Sequence, residues 1–171
     1  NPSVGALGPL DPLRERGRLP TGMVAGFDWT ALLAEVVTPE GKVDYARLAE
    51  RRDRLERVVE QLGAVSPQSH AQRFASHEHQ LAYWLNAYNA FVLQTVVSRY
   101  PISGASSAYP ASSIRQIPGA FDQMKHRAAG RSVTLEEIEK TVLAEFNEPR
   151  LALALGRGAV GSGRLRSEAY T

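Results

Sequence analysis

The sequence predicts an α+β fold: a mostly helical single domain with a long central helix and a small β-hairpin sheet. Three observations predict it. An unbroken, largely apolar segment runs from about Ser76 or His77 to Arg99 and stops before Pro101. Apolar residues recur at helical spacing in the segments on either side of it. Only one pair of short stretches, around Gly130, reads as a hairpin. The chain has 171 residues and is 43% apolar, which suits one domain with a sizeable core.

Taken in order, residues 1–26 are rich in Gly and Pro and lack periodicity, which predicts an extended N-terminal arm ahead of a domain spanning 27–171. Phe27 to Val37 has helical spacing, with Asp28 as the expected N-cap. Thr38-Pro39-Glu40-Gly41 predicts a turn, and Lys42 to Tyr45 a short strand. Tyr45 to Leu62 reads as one charged amphipathic helix. Leu48, Leu55, Val58, Val59 and Leu62 form its apolar stripe, and Gly63 is its expected stop. Ser66-Pro67 opens a further short helix.

The central helix follows. Its apolar arc holds Leu81, Trp84, Leu85, Tyr88, Phe91, Val92 and Val96, and only the side of Gln80, Ala87, Gln94 and Ser98 looks wet. Asn86 and Asn89, three residues apart, share a face flanked by Leu93 and Val97. A buried amide without partners costs about 1–3 kcal/mol. These two asparagines therefore predict either a polar network that fixes the core or the floor of a binding site.

Residues 102–119 form a long Ser-, Ala-, Pro- and Gly-rich connection with a short turn near Ser113 to Gln116. Phe121 to Lys125 and Arg131 to Val133 flank Gly130 as the two arms of the hairpin. Thr134 and Glu137 have capping-box spacing, and Leu135, Ile138, Val142, Leu143 and Phe146 form the stripe of the helix they open. Leu151 to Leu155 is predicted as a short strand or buried segment that joins the sheet, ahead of a glycine-rich loop at 156–163.

Composition excludes several functions. No cysteine is present, so disulfides, zinc thiolates and thiol catalysis are out of reach of this chain. Net charge is only +2 despite a pI near 9.1, and the arginines are dispersed, which argues against nucleic acid as a partner. No run reaches the roughly 18 apolar residues of a membrane span. A start at Asn1-Pro2, without a visible signal peptide, predicts an upstream segment that was removed or never built.

Several local patterns invite chemistry. Gly156-Arg157-Gly158-Ala159-Val160-Gly161 has dinucleotide-fingerprint spacing, but the required acid about 20 residues on has no place in the chain. No cofactor is therefore expected. A tight loop that needs positive φ is the leading reading of this stretch, and a simple anion site, with backbone N–H groups beside Arg157 or Arg164, ranks between that and a dinucleotide site. Ser162 lies between two glycines without the flanking pattern of a nucleophile elbow. His77 and His79 are two apart, so on a helix they diverge by about 200° and cannot share a metal. No metal site is expected. Glu139 lies one step from an apolar stripe and is placed to point inward, whereas Glu136 and Glu137 suit a helix N-terminus.

The segment Tyr83-Trp84-Leu85-Asn86-Ala87-Tyr88-Asn89 resembles the Phe-Trp-Ile-Asn-Ala-Tyr-Asn signature of the bacterial and plant "domain of unknown function 547" family. Further blocks occur in family order: Gly41 to Tyr45, Tyr100-Pro101, Ser113 to Arg115, Gly130 to Glu139, Glu148 to Leu151 and Leu165 to Thr171. The resemblance spans about residues 27–171. It implies no settled activity, frequent export among bacterial members, and a proposed distant relation to papain-like thiol peptidases. Many members carry His after the Ile-Glu pair, His after Pro-Arg, and Cys in the glycine-rich loop. Lys140, Ala152, and Arg157 or Ser162 stand in those places here. Members also usually extend beyond the Glu-Ala-Tyr-Thr block, so the resemblance implies a C-terminally truncated chain.

These observations lead to two expectations. The first is a non-catalytic, extracytoplasmic (periplasmic or secreted) binding or interaction module for an unknown small molecule, peptide or protein, with Asn86, Asn89, Arg157 and Arg164 as ligand contacts. The second is a peptidase-like hydrolase using Ser162 and Glu139, supported by polar residues of the central helix.

Overall fold

The structure is a computed structural model that describes residues 21–104, 106–111, 113–149, 151–155 and 165–171. Within them the protein is α+β, mostly helical, with one two-stranded antiparallel sheet. Helix α1 spans Thr21–Val36, α2 Tyr45–Glu50, α3 Arg52–Ala64 and α4 His77–Ser98. Strands β1 (His126–Ala128) and β2 (Arg131–Val133) make the hairpin. Helix α5 opens at Leu135–Glu137 and α6 spans Leu151–Ala154.

Helix α4 is the hub. Ser76 caps it by accepting from the His79 N–H at 3.1 Å. Every residue from Ala82 to Leu93 is buried. Ala87 is fully enclosed, so the wet side expected there is limited to Gln80, Gln94 and Ser98. The reason is that α4 has neighbours on several sides. Helix α3 packs against both α1 and α4, and the segment after α5 packs on α4 as well.

Tyr83 ties three elements together. Its hydroxyl donates to the Leu62 carbonyl near the end of α3 at 2.5 Å and accepts from the Ala129 N–H of the hairpin turn at 3.1 Å. Its ring meets Phe74 and Trp84 edge-on. Burial pushes the phenol up to about 12, so it stays a neutral donor.

Several boundaries differ from the sequence expectation. Residues 21–26 belong to α1 rather than to an arm, and Asp28 lies inside that helix instead of capping it. The strand expected at Lys42–Tyr45 is reduced to an isolated bridge between Val43 and Val37. The single helix expected over Tyr45–Leu62 is two, because Arg51 leaves helical geometry at φ −107° and ψ 19°. The apolar stripe continues across the break: Leu48, Leu55, Val58 and Leu62 are all buried. Arg51 and Arg54 converge there on Glu35 of α1, and Arg54 first, then Arg51, hold its carboxyl below the ordinary range. Gly63 is not the stop, since α3 continues to Ala64 and Gly63 sits against Arg127 of the hairpin.

The hairpin starts at His126, not at Phe121. Its register pairs His126 with Val133 and Ala128 with Arg131. Ala129 and Gly130 both have positive φ, 49° and 72°, as a two-residue type I′ turn demands. Thr134 and Glu137 form the expected capping box. Beyond it the segment passes into a π turn at Ile138–Val142 and a 3₁₀ turn at Leu143–Phe146, ending on Asn147 in the left-handed region. Leu151–Ala154 is a short helix and adds no strand to the sheet, because an apolar run of that length carries no period.

Tyr83→Phe keeps the ring packing but strips partners from the Leu62 carbonyl and the Ala129 N–H. It should lower unfolding free energy by about 1–3 kcal/mol in chemical denaturation. His126 yields a pH prediction. It is buried, stacks on Phe91 at 4.5 Å, and its Nε2 has no partner among the described residues. Burial pushes its pKa down to about 4 from the ordinary 6.5. Between those values the unfolded chain binds more protons, so stability is complete above about pH 6.5 and falls toward pH 4. The slope due to His126 is at most about 1.4 kcal/mol per pH unit. It should be missing from the stability profile of a His126→Phe variant.

Candidate functional site

Asn86 and Asn89 lie three residues apart on α4 and project on one face, as their spacing predicts. Both are buried, Asn86 at 8% and Asn89 at 1% exposure. Asn86 Nδ2 donates to the Tyr170 carbonyl at 2.9 Å, and Asn86 Oδ1 accepts from the Tyr170 N–H at 2.9 Å. One primary amide thus answers both backbone groups of one residue, which is the pattern exchanged between neighbouring strands. Asn89 Nδ2 donates to the Ala154 carbonyl at 3.1 Å. Ala154 ends α6, so its carbonyl is one that the helix itself leaves unanswered. Tyr170 Oη donates to the same carbonyl at 3.2 Å.

The chain segment 165–171 is therefore a strap laid over the asparagine face. Its Leu165 and Ala169 are buried, and the Ala169 N–H donates to Thr30 Oγ1 of α1 at 2.9 Å. Arg166 pairs with Glu168 and lies 5.0 Å from the centre of the Tyr170 ring. Burial raises the Tyr170 pKa, with Arg166 acting in the opposite sense. Thr30, Ala154 and Tyr170 were missed by sequence reasoning. Their role depends on contacts across 16 to 139 residues, for which local spacing has no signal.

Glu139 occupies a different face. Its Oε2 accepts from Tyr88 Oη at 3.1 Å, and Tyr88 is completely buried. Tyr88 is about 100° around α4 from Asn89 and about 200° from Asn86. The carboxylate sits in the π turn, a geometry frequent at functional sites. Glu139 is half-buried, so the inward position expected for it is met through the Tyr88 hydroxyl. Tyr88 had a sequence signal, since it lies inside the Asn86–Asn89 motif.

Ser162, Arg157 and Arg164 lie outside the described residues, as does the whole loop 156–164. Among the described residues no three His, Asp or Glu side chains gather to hold a metal ion. His77 instead stacks on Phe146 at 4.6 Å, and His70 Nδ1 is 2.8 Å from Ser69 Oγ. No described helix is long and apolar enough to cross a membrane. A separate groove of about 800 Å³ opens between the end of α3 and the hairpin, lined by Gly63, Ser66, Gln68, Ser69, Arg127 and Gly130 among others. Asn86, Asn89 and Glu139 do not line it.

The family model described as a protein of unknown function, DUF547, matches residues 72–171, more than half of the chain. The match takes in α4, the hairpin and the strap. It begins after the Gly41–Tyr45 block. No curated protein and no solved structure matches the chain.

Asn86→Ala removes both bonds to Tyr170 and should cost about 1–3 kcal/mol in thermal or chemical unfolding. Asn86→Asp should cost at least as much at neutral pH. It keeps an acceptor for the Tyr170 N–H but turns a carboxylate oxygen toward the Tyr170 carbonyl. In both variants the amides of Ala169 and Tyr170 should lose hydrogen-exchange protection while those of α4 keep it.

Proposed function

We propose that this chain, which belongs to the DUF547 family, is a non-catalytic, extracytoplasmic binding or interaction module. Its ligand is a small molecule, peptide or protein held by the asparagine face of the central helix. The observation that carries this reading is the use of Asn86: both polar ends of its amide engage the backbone of Tyr170. An amide committed in that way does not hold an oxyanion or orient a base, but it is a good recognition group for polypeptide. The absence of cysteine supports the same reading, since a thiolate nucleophile has no atom to form from. Asn89 belongs to the same surface, and Arg157 and Arg164 are proposed as ligand contacts from the sequence alone. The extracytoplasmic placement rests on the export common among bacterial members of the family.

A second reading keeps a peptidase-like hydrolase. The observation in its favour is the Glu139 carboxylate oriented by the buried Tyr88 hydroxyl. In that reading Glu139 serves Ser162 as base, with the asparagines in support.

Turnover separates the two. The purified protein should hydrolyse neither a peptide nor an ester panel above the buffer rate. Activity that both Ser162→Ala and Glu139→Gln abolish would replace the module with the hydrolase. Fractionation of the native host should place the protein outside the cytoplasm, and a cytosolic pool alone would remove that part of the proposal.

A further inference from the structure

Resting on the binding-module reading, we propose that Thr30 and Asn86 form a peptide-recognition seat. In this structure residues 169–170 fill it in cis, and in trans it accepts an extended peptide carrying a small residue followed by tyrosine. Four features define the seat. Asn86 offers a donor and an acceptor to a single residue, and a residue presents its N–H and C=O to one side when its backbone is extended. Thr30 takes the N–H of the preceding residue from another helix. Ala169 is 4% exposed, so this position encloses a small side chain. Tyr170 reaches past the amide to place its hydroxyl on the Ala154 carbonyl, which selects a phenol over a plain ring.

The strap is attached as a ligand would be. Residues 165–171 form no helix and no strand ladder. The body binds them through Ala169, Tyr170 and the buried Leu165, while Arg166, Ser167 and Glu168 are exposed. The Arg166–Glu168 pair and the Arg166–Tyr170 stack lie within the strap and would travel with it. A segment tied down by a few bonds opens more readily than a hub enclosed on most sides. Tethering gives it an effective concentration on the order of millimolar, so a free peptide competes poorly until the strap is weakened.

The test uses the full chain and a fluorescein-labelled hexapeptide of the strap sequence, Arg-Ser-Glu-Ala-Tyr-Thr, read by fluorescence polarisation. In the double variant Ala169→Pro/Tyr170→Pro the strap lacks both N–H donors and the phenol, while Thr30 and Asn86 are untouched. This variant should bind the peptide at least tenfold more tightly than the unaltered protein. Adding Asn86→Leu should abolish binding, and a peptide with Phe for Tyr should bind more weakly. Equal binding by all three proteins, or by none, overturns the seat. Mass spectrometry of the bound peptide keeps the two proposals apart. An intact peptide supports both, whereas a cleaved one keeps the seat and overturns the non-catalytic reading. If the double variant does not fold, hydrogen exchange in the unaltered protein decides. Ala169 and Tyr170 amides opening well before those of α4 as denaturant rises supports the seat, and opening together with α4 overturns it.

Discussion

Enclosure of the central helix is the constraint from which the rest of the architecture follows. A helix buried from Ala82 to Leu93 cannot leave a polar side chain facing solvent along that stretch. Each one must find its partner inside the protein or carry the cost of a stripped hydrogen-bonding group. Tyr83, Asn86, Tyr88 and Asn89 all do so, the two asparagines on one face of α4 and Tyr88 on another. Their partners are the end of α3 with the hairpin turn, the strap, Glu139, and the end of α6. Polar groups thus decide which elements dock where, while the apolar arc supplies the gain from burial.

The arrangement also explains why the functional reading leans toward recognition. Two of the four polar groups answer backbone atoms of segments that form no extended secondary structure. Asn86 answers both backbone groups of Tyr170, and Asn89 shares the last carbonyl of α6 with the Tyr170 hydroxyl. Side-chain amides are suited to this because they carry a donor and an acceptor in the same plane as a peptide bond. The Tyr88–Glu139 contact is of another kind. It is a hydroxyl on a carboxylate in a π turn, on a separate face of the same helix, and it is the feature a catalytic reading would build on.

Some of this was legible in the residues. Thr134 and Glu137 have the spacing of a capping box and form one, because the motif is closed within four residues. Ser76 and the unbroken apolar run set the limits of α4 for the same local reason. The hairpin was legible as a turn at Gly130 but not in its register, which depends on Ala129 accepting positive φ where Asn or Asp would have advertised it. The break at Arg51 left no mark on the apolar period, since the stripe crosses it intact. The run Leu151–Ala154 had no period with which to choose helix over strand.

The sequence by itself determined that there is one apolar hub helix, roughly where it begins and ends, that two amides share a face of it, and that no thiol chemistry is available. These are properties of composition and of spacing within a few turns. Only the tertiary structure decided what those amides hold. The partners of Asn86 and Asn89 lie 84 and 65 residues away, and Thr30 meets Ala169 across 139. Contacts at such separations depend on how whole elements pack, and a one-dimensional pattern carries no period for them.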